Sequence, residues 1–253
     1  IMYPASTTKI MTAYIALQMG DMDNDLVTVS QNAIDLVPPT YQTIPLSAGE
    51  QVPMLDLISV MLIRSGNEAA NAIAEYLSGS IENFADLMNQ TAQMLGCSSS
   101  THFANPSGVH DENHYTTAYD LYLIGKYAMQ NETFRTIVKT PEYYVEPTNM
   151  NGNRRHFFNT NGLLSNKKYA GYYYENCIGI KTGSTDSAGY CLLSAAEKDG
   201  QRLIAVVLGC ENPKDAQGNI QRLQFSESSS LLKWGFENFS VHTILDATSP
   251  VAE

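Results

Sequence analysis

Gly189-Tyr190-Cys191-Leu192-Leu193-Ser194-Ala195-Ala196 and Arg202-Leu203-Ile204-Ala205-Val206-Val207-Leu208-Gly209, joined across Lys198-Asp199-Gly200, decide the fold. Each run is too short for a buried helix and rich in residues that suit a strand, and Asp-Gly between such runs is a hairpin signal. The near-continuous apolar character predicts a sheet covered on both faces. Cys177-Ile178-Gly179-Ile180-Lys181-Thr182 reads as a further strand just upstream, and Phe225 to Phe236 as a helix that packs on the sheet. Tyr143-Tyr144-Val145 and His156-Phe157-Phe158 are shorter strand candidates.

Upstream the pattern is different. A helix is expected from about Ser6 to Met19, stopped by Gly20 in a left-handed conformation. A short strand, Leu26 to Ser30, leads into a Pro-punctuated stretch. Helical segments then follow from Leu55 to Ile63 and from Glu68 to Leu77, with Ser65-Gly66-Asn67 as the break between them. Ser80 reads as the N-cap of a further helix, and another opens near Thr117. The central third is therefore mostly helical.

With 253 residues and 43% hydrophobic content the chain buries a sizeable core. Its net charge of −11 argues against nucleic acid, whose phosphates nothing here could neutralise. It argues equally against docking on an anionic membrane surface. No run reaches the ~18 apolar residues of a membrane span. The four cysteines show no C-x-x-C spacing, so metal ligation is not expected; Cys191 and Cys210 fall on neighbouring strands, and buried free thiols are the favoured state. His110-Asp111-Glu112-Asn113-His114 crowds two His and two acids into what reads as a loop, and no metal site is expected there.

Three short motifs carry the chemistry. In Ser6-Thr7-Thr8-Lys9 a hydroxyl and an ammonium stand three residues apart, on one face of a helix start. A serine needs a base to become a nucleophile, and a desolvated lysine supplies one. Ser65-Gly66-Asn67 offers a second hydroxyl and an amide, and Lys181-Thr182-Gly183 a cation, a hydroxyl and a small residue on a strand. Each alone has an ordinary explanation: a capped helix, a polar break, a turn glycine. Together and in this order they meet the signature of penicillin-binding proteins and β-lactamases, with Gly66 where that signature has Asp.

The resemblance extends beyond these motifs. Tyr3 to Thr12, Phe103 to Gly108, Thr116-Thr117-Ala118, Asn159-Thr160-Asn161 and Gly179 to Thr185 resemble the serine-type D-alanyl-D-alanine carboxypeptidases, the low-molecular-mass penicillin-binding proteins. That resemblance implies an α+β fold: an antiparallel β-sheet flanked by helices, with a mostly helical subdomain inserted at about 31–140. The catalytic domain would occupy 1–240 and 241–253 would be a linker or the start of a further domain. In the family the sheet also contains strands before the nucleophile's helix, which this chain lacks, so an uncovered sheet edge is expected.

Resemblance also implies the roles. Ser6 attacks the carbonyl of the penultimate D-Ala and Lys9 takes its proton. Ser65 relays a proton to the leaving amine, and Asn67 holds the substrate amide. Lys181 and Thr182 bind the terminal carboxylate, Gly183 lets the substrate approach the strand, and the N–H groups of Ser6 and Ser184 hold the oxyanion. The expected partners are a peptidoglycan stem peptide ending in D-Ala-D-Ala and, as covalent inhibitors, β-lactams. No cofactor is implied, and the expected location is the outer face of the bacterial cell envelope. One departure stands out: many relatives carry an arginine at the head of the last helix, where this chain has Gln224, with Arg222 two residues earlier. Two other outcomes share these motifs. One is a class A-like β-lactamase, for which Glu146-Pro147 is the nearest approach to the required glutamate. The other is a non-catalytic β-lactam sensor.

Overall fold

The computed structural model describes residues 1–241; the segment 242–253, and with it nearly all of the anticipated linker, lies outside the described residues. Three strands, β5 (Cys177–Thr185), β6 (Gly189–Lys198) and β7 (Gln201–Cys210), form an antiparallel sheet in the order β5-β6-β7. The hairpin falls where Asp-Gly predicts it. Asp199 and Gly200 both take positive φ, 50° and 78°, a pairing whose twist matches that of the flanking strands.

Alternation along β6 assigns each face its own core. Leu192 and Ala196 join Ala205, Leu163, Phe225 and Leu232 under α8 (Leu223–Asn238). Leu193 and Ala195 point the other way, into the main core with Ile180 and the helices. The sheet is covered on both faces, as its apolar strands require. Among the described residues β7 pairs only with β6, so its far edge carries no strand partner there.

The remaining helices form the main core. They are α1 (Lys9–Met19), α2 (Gln31–Asp35), α3 (Met54–Ile63), α4 (Asn67–Ser78), α5 (Ile81–Met94), α6 (Ala118–Ala128) and α7 (Glu132–Lys139). Four of them open on a side chain that accepts a hydrogen bond from a backbone N–H three residues on: Ser30, Ser80, Thr117 and Asn131. Helix α3 has no polar face; all but two of its ten residues are buried, because it runs through the middle of the core.

Several sequence expectations need correction. Ser6 does not lie on the first α-helix but on a 3₁₀ turn, Ala5–Thr8, that leads into it. Gly20 does end α1, but in an extended conformation (φ −85°, ψ 152°) rather than a left-handed one. The strands predicted around Tyr143 and His156 are present as β3 (Glu142–Val145) and β4 (Arg155–Phe158), which pair with one another as a separate hairpin. A second small pair, β1 (Leu26–Thr28) with β2 (Gln51–Pro53), straddles the Pro-rich stretch. All four cysteines are free, as favoured, but only Cys177 and Cys191 are buried, and Cys210 lies opposite Tyr190 rather than Cys191.

Candidate active site

The three motifs meet at one cleft. A cavity of about 760 Å³ is lined by Ser6 from the 3₁₀ turn, Ser65 and Asn67 from the α3–α4 junction, and Thr182, Gly183 and Ser184 from β5. The 3₁₀ turn is pressed against β5. A Cβ on Gly183 would lie 2.9 Å from each of Pro4 O, Ser6 N and Thr7 N, a distance that Cβ atoms do not adopt. Gly183 is therefore demanded by the protein's own backbone beside Ser6, a nearer reason than the approach of substrate.

Lys9 is fully buried at the start of α1. Its Nζ lies 2.9 Å from Ser6 Oγ, 2.7 Å from Asn67 Oδ1 and 2.5 Å from Ser107 O. A neutral amine has two N–H donors and one lone pair. Asn67 Oδ1 and Ser107 O can only accept, so in the neutral form they take both N–H groups. The lone pair is then left facing the Ser6 hydroxyl. Burial, and next the charge of Lys181, hold the Lys9 pKa well below its usual range, against a smaller opposing pull from Glu68.

Lys181, on β5, is also buried, and its Nζ donates to Thr182 O at 3.0 Å. Burial first and Lys168 second lower its pKa to about 7. The neighbouring Thr182 hydroxyl shares a 2.6 Å hydrogen bond with that of Thr160, whose N–H is in turn fixed to Ile63 O at the end of α3.

Ser65 links α3 to α4 with φ +71°, a left-handed conformation rare for a serine, which turns it into the cleft. At Gly66, where the related signature has Asp, a Cβ would meet the Ile44 side chain at 3.0 Å, so a larger residue there requires Ile44 to shift. Asn67 lines the cleft and is also tied into the protein. Its Oδ1 accepts from Lys9 and its Nδ2 donates to Gln42 O at 2.7 Å, so both ends of the amide are engaged within the protein. Next to it, Glu68 Oε1 accepts from Ile44 N at 2.6 Å, while its buried Oε2 has no partner. Asn67 and Glu68 thus pin the 42–44 loop to the cleft wall.

Some contributors carried no motif. Ser107 supplies the carbonyl for Lys9 from the Phe103–Gly108 loop. His114 supports the turn: Ala104 N–H donates to its Nδ1 at 3.1 Å, so the proton sits on Nε2 and is directed at Thr8 Oγ1, 2.7 Å away. Burial lowers the His114 pKa to about 3, consistent with a neutral structural imidazole. Arg222 and Gln224 both line the cleft, the former with its guanidinium 4.1 Å from the Tyr169 ring centroid. No motif spacing marks the roles of Ser107 and His114, because loops and long-range packing bring them in, whereas Arg222 and Gln224 are singled out by their position at the head of the last helix.

A family model for D-alanyl-D-alanine carboxypeptidases matches residues 1–212. The chain belongs to that family. The D-alanyl-D-alanine carboxypeptidase DacA of Haemophilus influenzae is 35% identical over 258 residues, covering 99% of this chain and 60% of that protein. DacF of Bacillus subtilis is 32% identical with the same coverage. The chain thus spans about three-fifths of the length of these curated relatives. Among solved structures, a Streptomyces DD-transpeptidase superposes with a TM-score of 0.80 at 31% identity, covering 93% of this chain and 88% of that one. The fold is accordingly the α+β arrangement of the DD-peptidases.

Proposed function

We propose that this chain removes the terminal D-Ala from peptidoglycan stem peptides ending in D-Ala-D-Ala, through an acyl-enzyme on Ser6, at the outer face of the bacterial envelope. The observation that carries the reading is Lys9 Nζ, buried and 2.9 Å from Ser6 Oγ, with its two other contacts fixed to acceptors. Lys9, held neutral, takes the Ser6 proton as Oγ bonds to the carbonyl carbon. The N–H groups of Ser6 and Ser184 stabilise the oxyanion; removing one such donor typically costs ~3 kcal/mol of barrier. Ser65 passes its proton to the departing amine as the C–N bond breaks, and Lys9 hands the Ser6 proton on to Ser65, which leaves the amine of Lys9 neutral again. Lys181 and Thr182 hold the free carboxylate. Asn67 orients Lys9 and the 42–44 loop, and with its second Nδ2 N–H and second Oδ1 lone pair holds the substrate amide. Water, activated by Lys9 in a second round, then releases the shortened peptide.

A β-lactam would enter the same path and remain on Ser6. A β-lactamase outcome is disfavoured because Glu146 is largely exposed and paired to Arg154 at 2.8 Å, away from the cleft. Release of D-Ala from a D-Ala-D-Ala peptide, abolished in Ser6→Ala, tests the hydrolase and separates it from a sensor that acylates without turnover. Intact-mass analysis after benzylpenicillin with peptide mapping tests the nucleophile; an adduct on any other residue would sink the mechanism. Rapid multiple turnover of nitrocefin would favour the β-lactamase.

A further inference from the structure

Beside the cleft lies a second cavity, of about 590 Å³, and Lys168 lines both. The two share walls: Gln42 and Ser65 face the cleft, and their chain neighbours Thr43 and Arg64 face the second cavity. In the proposed reaction Ser65 and Lys181 serve the leaving residue, and the second cavity adjoins the cleft on the side of Ser65 and Lys168.

Its charge is unlike that of the chain. Four of the fifteen basic residues, Arg64, Arg155, Lys167 and Lys168, line it, and no acidic residue does, in a protein of net charge −11. Two of the four are neutralised from outside: Arg155 by Glu50 at 2.6 Å, and Lys167 by Glu142. Among the described residues, Arg64 and Lys168 form no ion pair with an acid. Arg222 adds a third cation at the junction, 4.1 Å from the Tyr169 ring centroid, with the Lys168 ammonium 5.2 Å from the same centroid. Burial, then Arg64 and Arg222, lower the Lys168 pKa to about 8. Like charges gathered without a counter-charge are strained electrostatically, and an anion placed among them relieves that strain.

We propose that Arg64 and Lys168 form a second anion site, separate from the terminal-carboxylate pocket, that takes a side-chain carboxylate on the residue leaving from the scissile bond. The proposal rests on the DD-peptidase reading and extends its substrate class. The leaving residue is not confined to D-alanine, and a D-amino acid with an acidic side chain is preferred over its neutral isostere. The chemistry is unchanged. Ser6 Oγ bonds to the acyl carbon, the C–N bond to the acidic residue breaks, its amine gains a proton through Ser65, and water frees the acyl group.

The test uses two peptides identical except for the last residue, one ending D-Ala-D-Glu and the other D-Ala-D-Gln, beside D-Ala-D-Ala as reference. For the unaltered chain at low ionic strength, kcat/KM for the D-Glu peptide should exceed that for D-Gln by roughly tenfold. The gap should narrow as salt screens it. The chain's overall negative field would favour D-Gln, so the preference cannot arise from net charge. Arg64→Gln and Lys168→Gln should each bring the ratio close to one. A ratio at or below one in the unaltered chain, or a ratio that survives both substitutions, overturns the proposal. Calorimetric binding of the same pair to Ser6→Ala gives the affinity gap without turnover. If that gap is present and vanishes with Arg64→Gln while no peptide is hydrolysed, the anion site stands and the hydrolase reading fails. If D-Ala-D-Ala is hydrolysed without any gap, only the anion site fails.

Discussion

Gly183→Ala probes the contact between β5 and the nucleophile's turn. The added methyl would lie 2.9 Å from three backbone atoms, Pro4 O, Ser6 N and Thr7 N, where ordinary contact begins at 3.4 Å. None of the three is the end of a flexible side chain, so strand and turn must separate by about 0.5 Å. Overpacking of this kind costs about 1–3 kcal/mol, and the rigidity of all three neighbours places it near 2. For a chain of this size that lowers Tm by about 4–8 °C. The larger effect is on chemistry. A 1 Å misplacement can cost 10²-fold, so a shift of half that, applied directly to the Ser6 N–H and Oγ, should slow acylation by about tenfold. Stopped-flow acylation by benzylpenicillin and a thermal melt measure the two. Gly152→Ala is the control, since a Cβ there meets nothing within 4 Å, and it should leave both unchanged. Normal acylation and an unshifted melt in Gly183→Ala would refute the claim that β5 is pressed onto the turn.

Further outcomes follow from the same geometry. Because Lys181 must be charged to bind a carboxylate and its pKa lies at about 7, kcat/KM for D-Ala release should fall as pH rises through that value, whereas Lys181→Arg should move this limb upward. His114 is held neutral with a folded pKa of about 3, below an unfolded value near 6.5, so the unfolded chain binds more protons between them. Stability should thus drop by several kcal/mol as pH falls from about 6.5 to 3, and in His114→Asn this part of the acid sensitivity should vanish from chemical-denaturation curves. Gly66→Ala should lose about 1 kcal/mol through its encounter with Ile44 Cδ1 and Cγ1 at 3.0 Å and Cγ2 at 3.2 Å, and in an Ile44→Ala background, where all three atoms are gone, a double-mutant cycle should show that increment vanish.

The sheet was legible because its information is local. An Asp-Gly turn and near-continuous apolar runs of strand length need no distant partner to be read, and β6 and β7 fall where those signals put them. The three motifs were legible for a related reason: each is a short run whose residues share one element or one junction. What escaped was set by tertiary contact. Nothing in Phe103–Gly108 announces that Ser107 O would reach Lys9. Asn67 reads as a free amide until Gln42 O closes on it. The conformation of Gly20 and the separate pairing of β3 with β4 were likewise decided by neighbours rather than by the residues themselves.

The surroundings of Lys9 have one more consequence. Its partners Asn67 and Ser107 stand 58 and 98 residues away along the chain, and the Lys181 that helps depress it lies on β5. No fragment or partly folded intermediate can hold all three, so a reactive Ser6 exists only when helices and sheet are docked together. A fluorescent penicillin, added for seconds across a denaturant series, should therefore count native molecules, and its labelling curve should coincide with the loss of tertiary structure instead of outlasting it.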